Sequence, residues 1–182
     1  MQPNHKLILI NGSTGIGKST LAQMYINEHP LALCVNSDDI IAALGQWLAH
    51  EDAARKLAFE LTKSMVSTHL RAGYDVILPH LLTHIEEAVA LEDIARDYRS
   101  VFYEFVLVTD KAEAVARMME RGTWGEPGSP PLTQNDIPII EGIFDKVQVT
   151  VSKRPNTIKL NSIKGNADDT YKQLITSLVR NP

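Results

Sequence analysis

An α/β fold, a three-layer αβα sandwich built on a five-stranded parallel sheet, is predicted by three observations. Short apolar runs alternate with longer amphipathic stretches along the whole chain. The run Leu7-Ile8-Leu9-Ile10 is apolar without alternation, as a strand covered on both faces requires. A glycine-rich turn separates that run from the stretch after it, and Gly or Pro punctuates most later junctions.

Taken in order, Ser19 to Ile26 reads as a helix with Leu21, Met24 and Tyr25 on one side, closed by Pro30. Leu31 to Val35 reads as the second strand, and Asp38 to Leu44 as a short helix interrupted by Gly45. Glu51 to Leu70 carries the clearest helical period, with Ala54, Leu57, Ala58, Leu61 and Met65 on the expected core face. Asp75 to Leu78 forms a third strand ended by Pro79. Thr83 and Glu86 have capping-box spacing for a helix running to about Arg99. Val101 to Val108 is the fourth strand, and Asp110 caps a helix from Lys111 to Arg121. Gly122 to Pro138 is rich in Gly and Pro and reads as a mobile surface loop. Ile139 to Val151 is helical, Thr157 to Leu160 is the fifth strand, and Asp168 to Val179 is a terminal helix. One domain over 1–182 is expected, with a lid at about 117–138.

A formal net charge of -4 and a pI near 5.8 speak against an extended nucleic-acid partner or an anionic membrane. A short nucleic-acid end held as a substrate asks only for a local patch. The single cysteine, Cys34, excludes an intrachain disulfide and reads as a small strand residue. No apolar run approaches membrane-spanning length, and no signal segment is evident, so a cytoplasmic protein, monomer or homodimer, is expected.

The segment Gly12-Ser13-Thr14-Gly15-Ile16-Gly17-Lys18-Ser19 matches G-x-x-x-x-G-K-[ST] at every fixed position, and Thr20 follows it. Glycines let successive amides turn inward as an anion nest, and the helix start adds its positive end. Lys18 then reaches the β- and γ-phosphates and the Ser19 hydroxyl meets magnesium, which implies ATP and Mg²⁺. Asn36-Ser37-Asp38-Asp39 follows the second strand, which is expected to neighbour this turn. A carboxylate there suits a general base or a magnesium ligand, and its neighbour suits a helix cap. Arg117 and Arg121 share a helix face ahead of the Gly/Pro-rich loop and suit phosphate charge, or else pair on the surface through Glu113.

These segments, in order and over the length of the chain, resemble the small P-loop kinases: gluconate and shikimate kinases, chloramphenicol phosphotransferase, zeta-toxin-like kinases and the 5′-kinase domain of polynucleotide kinase. The resemblance implies a P-loop NTPase fold of the nucleoside-kinase type. It implies transfer of the γ-phosphoryl group of Mg·ATP to a hydroxyl of a small-molecule or nucleotide-type acceptor. Asp38 is the position matching the family's base, with Asp39 in reserve. Arg117 and Arg121 match its lid arginines, and Ser162 to Ala167 its adenine loop. The chain departs from many P-loop proteins after the third strand, where Pro79 and His80 stand in place of a Walker B aspartate and Asp75 lies at the opposite end. Magnesium would then rest on Ser19, the phosphates and water, with Asp38 or Asp39 nearby. His80, His84, Trp47 and Trp124 are candidates to line the acceptor pocket. No N-K-x-D segment points to guanine. A nucleotide-binding regulator without a dedicated acceptor, and a polynucleotide 5′-kinase, stand as the alternatives.

Overall fold

The computed structural model describes residues 5–180; Met1–Asn4, ahead of the first strand, and Asn181–Pro182 lie outside that range. Five parallel strands are present among the described residues: β1 (Lys6–Asn11), β2 (Leu33–Cys34), β3 (Val76–Pro79), β4 (Val101–Val108) and β5 (Ile158–Asn161). Their spatial order is β2-β3-β1-β4-β5. The first strand therefore sits at the centre, and its neighbours are β3 and β4 rather than β2. That corrects the expectation that the second strand adjoins the glycine-rich turn.

Helices α1 (Lys18–Glu28) and α7 (Ala167–Arg180) are joined to one face of the sheet by a cluster of Ile8, Ile10, Leu21, Tyr25, Phe105 and Leu174. Helices α3 (Glu51–Arg71) and α4 (Ile85–Asp97) cover the other through Leu7, Leu9, Val66, Leu70, Leu78 and Leu91. Residues 7–10 are fully buried because successive side chains feed these two opposite layers, which explains their unbroken apolarity. Helix α6 (Ile137–Ser152) packs Val147 and Val151 against Val106 of β4, α5 (Lys111–Arg121) adds Ala114 to the first cluster, and α2 (Ser37–Ala42) packs Ile41 with Ala54 and Ala58 of α3.

Several boundaries differ from the pattern-based reading. The second strand is cut to two residues, with Leu31 exposed at φ 62 in the turn before it. The buried stripe of α3 is Ala54, Ala58, Thr62, Val66 and Leu70, while Leu57, Leu61 and Met65 are exposed. The Thr83–Glu86 capping box does not form: α4 begins after His84, and the Thr83 carbonyl accepts a bond from Thr150 Oγ1 at 3.1 Å. Asp110 occupies the N-cap position of α5 without a side-chain cap bond. Helix α6 starts at Ile137, earlier than expected, because Pro138 falls in its first turn, where a missing N–H costs nothing.

Asp75 joins the lower ends of the layers. Its Oδ1 accepts the Lys6 backbone N–H at 2.7 Å and its Oδ2 accepts the Tyr25 hydroxyl at 2.5 Å. One carboxylate thus ties β1, the start of β3 and α1, the helix that the glycine-rich turn feeds. Burial and the Asp75 bond push the Tyr25 hydroxyl far above its ordinary pKa, so it stays a donor. Tyr25→Phe removes that donor at constant shape. We expect a loss of about 1 kcal/mol in urea unfolding with nucleotide affinity unchanged. A loss of nucleotide affinity at full stability would contradict this structural assignment.

Candidate active site

The turn from β1 to α1 is set by backbone conformation. Gly12, Gly15 and Gly17 have φ of 142, 77 and 101, a region side chains disfavour. A Cβ at Gly12 would also sit 2.6 Å from Ile16 Cδ1 and 3.1 Å from the Leu107 carbonyl. Buried Asn11 fixes the entry to the turn: its Oδ1 accepts Gly12 N–H at 2.7 Å and Leu82 N–H at 3.0 Å. Among the described residues, no well-formed backbone bond engages the N–H groups from Ser13 to Gly17. The Ser13 hydroxyl is buried without a partner. Buried or inward donors left unpaired are costly unless something accepts from them. A chain of phosphates does so, and the donor set fits one.

Lys18 opens α1 and folds back over the turn, its Nζ donating to the carbonyls of Gly12 at 2.9 Å and Ser13 at 2.8 Å. Burial lowers its pKa to about 8, with Asp38 pulling it up and Arg121 pushing it down. The ammonium is therefore held in a poorly solvated place where an arriving anion gains most. Ser19 and Thr20 are exposed beside it.

Asp38 faces the same end of the cleft. Asn36, not an aspartate, caps α2: its Oδ1 accepts Asp38 N–H at 3.3 Å, and its Nδ2 donates to Asp39 Oδ2 at 3.1 Å. Asp39 is exposed, engaged in the cap and absent from the cleft lining. The Asp38 carboxylate has no hydrogen-bond partner among the described residues and lines the cleft. Burial, then Glu126, raises its pKa above the usual value; Lys18, His80 and Arg55 pull it down. Below that side of the cleft Cys34 sits in β2, its thiol pushed up to about 11 by burial and then by Asp39, so it stays protonated.

The cleft holds about 1200 Å³ and runs from Thr14 to the helices α3 and α6. Trp47, Trp124, His80 and His84 all line it. His80 Nδ1 lies 3.0 Å from Ser37 Oγ and its Nε2 3.3 Å from Glu87 Oε2. Arg121 lines the cleft at the end of α5. Arg117 does not: its Nε donates to Glu113 Oε1 at 2.7 Å, and its other nitrogens reach Ser162 Oγ at 2.9 Å and Ser162 O at 3.1 Å. Ser162 Oγ in turn donates to the Ile16 carbonyl at 2.8 Å. Arg117 therefore anchors α5 and the loop after β5 to the glycine-rich turn, rather than facing the phosphates as the resemblance implied.

Two residues escaped the sequence reading. Arg55 of α3 donates through Nη2 to Glu51 Oε1 at 2.8 Å and to Glu126 Oε1 at 3.0 Å. Glu126 belongs to the Gly/Pro-rich loop yet is buried, 8% exposed, over the Asp38 end of the cleft. Proline and glycine spacing signals such a loop but gives no sign of where it lands. Magnesium carried by a triphosphate asks for one or two protein oxygens, and Ser19 and Asp38 both line the cleft. Among the described residues no group of three His, Cys, Asp or Glu side chains is placed to hold a metal.

A family model described as an AAA domain matches residues 7–132. No curated protein matches the sequence. Similar solved structures include a chain of the Pnkp1/Rnl/Hen1 RNA repair complex, 21% identical with TM-score 0.58. That match covers 81% of this chain, which spans only 45% of the length of its counterpart. Others are the tunicamycin resistance protein of Deinococcus radiodurans and the deoxyadenosine kinase of M. mycoides, each 12% identical with TM-score 0.58. The first covers 95% of both chains, the second 97% of this chain and 100% of the other. At these identities the likeness establishes the fold alone, an all-parallel sheet covered by helices on both faces. No helix among the described residues is long and apolar enough to cross a membrane.

A phosphate beside Lys18 raises its pKa again, so nucleotide binding takes up a proton when the pH lies above about 8. Mg·ATP affinity is expected to fall as pH rises from about 8 to 10, and calorimetry in buffers of different ionisation enthalpy should register the uptake. Lys18→Ala should abolish that uptake. Uptake persisting in Lys18→Ala would assign the proton to another group.

Proposed function

The chain belongs to the AAA domain family, and from that premise we propose that it is an ATP-dependent phosphotransferase with a hydroxyl-bearing acceptor. One observation carries the reading. A poorly solvated ammonium, Lys18, and an unpartnered carboxylate, Asp38, are electrostatically coupled at one end of a cleft whose remainder is large enough for a second molecule.

The roles follow from the chemistry of each group. The amides from Ser13 to Gly17 and the start of α1 grip the β- and γ-phosphates, and Lys18 leaves the Gly12 and Ser13 carbonyls to neutralise them. Ser19, with Asp38 close by, holds the magnesium that accompanies the nucleotide; when bound, that ion screens the phosphate oxygens. The acceptor oxygen bonds to Pγ as the bond from Pγ to the bridging oxygen breaks and ADP leaves. The acceptor's proton passes to Asp38, whose raised pKa gives it more basicity than an exposed aspartate. Arg121 contributes a guanidinium to the transferring group. Arg117 acts at one remove, by holding the Ser162 loop, where the adenine would rest, against Ile16.

The segment at 117–138 serves as a lid within a single domain. Its Glu126 reaches across the cleft to Arg55 on α3, so closure puts a protein wall over Asp38 and excludes water that would otherwise compete with the acceptor. A nucleotide-binding regulator would have no use for the part of the cleft beyond Asp38. A deoxyadenosine kinase shares this fold, in keeping with a small-molecule acceptor.

Asp38→Asn should leave Mg·ATP affinity nearly intact and slow transfer of label from γ-labelled ATP at least about a hundredfold. In the wild type, transfer should fall with acidity along a limb lying above the ordinary aspartate value of 3.8, because Asp38 must be ionised to act. Glu126→Gln removes a cause of the raised pKa and frees Arg55, so the limb should move to lower pH. Wild-type rates in Asp38→Asn, or an unmoved limb in Glu126→Gln, would count against the assigned base.

A further inference from the structure

The cations Lys18 and Arg121 stand at the phosphate end of the cleft. Beyond them, Glu51, Asp52, Glu60, Glu87, Glu126 and Asp136 line the walls together with just three cations, Arg55, Lys56 and Lys146. Lys56 and Lys146 are exposed. Arg55, the cation nearest Asp38, is committed to two carboxylates, Glu51 and Glu126, at 2.8 and 3.0 Å. His80 is held between Ser37 and Glu87. Among the described residues, the cations of this region without a carboxylate partner are therefore the exposed Lys56 and Lys146; of the acids, Glu51, Asp52 and Glu60 are exposed too, and Glu60 pairs with Lys63 at 2.8 Å. The same region is lined by the rings of Trp47 and Trp124 and by Ile139 and Ile143, while the Phe59 ring is stacked on His80.

On the phosphotransferase reading above, we propose that the acceptor carries no anionic group and is an uncharged or cationic hydroxyl compound with an apolar ring face, about the size of a nucleoside or amino sugar. Anionic hydroxyl compounds, such as sugar carboxylates, nucleotides and the 5′ ends of polynucleotides, are refused by repulsion. A phosphate or carboxylate beside Asp38 would face three carboxylates, Asp38, Glu51 and Glu126, against one guanidinium, Arg55, already shared between two of them. Exclusion of this kind is specificity by an unfavourable alternative, and it does not depend on any one contact to the accepted molecule. The apolar faces supply the attraction.

The protein has two tryptophans and both line this cleft, so their fluorescence reads its charge directly. With Mg·AMP-PNP filling the phosphate end and ionic strength held constant, quenching by caesium and by iodide is compared with that of N-acetyltryptophanamide. The expected result is a caesium-to-iodide ratio at least about threefold above the free-indole value. A ratio at or below the free value overturns the proposal. In parallel, γ-labelled ATP is offered with adenosine, an amino sugar, a sugar carboxylate and an oligonucleotide with a free 5′ hydroxyl. Transfer to the carboxylate or the oligonucleotide at a rate within about tenfold of the best uncharged or cationic acceptor also overturns it. Failure of the underlying phosphotransferase reading looks different: label from γ-labelled ATP would reach none of the four acceptors, while the quenching ratio would still report the charge of the cleft.

Discussion

The structure depends on a backbone that turns through conformations closed to most side chains between β1 and α1. Gly12, Gly15 and Gly17 accept positive φ there, and at Gly12 even a methyl group would collide with Ile16 and the Leu107 carbonyl. Everything around the turn holds it in place. The fully buried run Leu7–Ile10 fixes the strand that enters it, Asn11 pins its first amide, and Ser162 pins the Ile16 carbonyl from outside. The result is a row of unpaired N–H groups at the central strand of the sheet, beyond its carboxyl end, where open α/β sheets bind ligands.

Around that turn, neighbouring residues of similar chemistry take different work. Of the adjacent aspartates, Asp39 joins the cap that Asn36 forms on α2, which leaves the Asp38 carboxylate without a partner and facing Lys18. Of the two arginines one helical turn apart on α5, Arg117 is locked into Glu113 and Ser162, while Arg121 lines the cleft. Glu126 and Arg55 join the irregular loop to α3 and set the electrostatic surroundings of Asp38. Each division follows from which partner is within reach, and reach is set by the sheet order.

Much of this was legible in the sequence, and the failures have physical reasons. The G-x-x-x-x-G-K-[ST] segment specifies its own geometry, since its glycines are conformational requirements. Short, mostly apolar runs located four of the strands to within one residue, but the second came out far shorter than its five-residue run. Strand order was not legible, because a parallel crossover leaves no local mark on the residues it joins, and so β3 was not seen to separate β2 from β1. On α3 two apolar stripes at i, i+4 spacing run side by side, one residue apart. Period alone cannot choose between them, and the buried one contains Thr62 while the exposed one contains Leu57, Leu61 and Met65. Glu126 and Arg55 lie 71 residues apart in the chain, and nothing local announces that they meet.

The most direct test of the account is a calorimetric titration of Mg·ATP into the wild-type protein and Gly12→Ala side by side, with circular dichroism to confirm that both are folded. The account predicts that the wild type binds and that the folded variant binds at least about a hundredfold more weakly, because the added methyl forces the first amides of the turn out of position. Equal affinities, or no binding by the wild type, would contradict it.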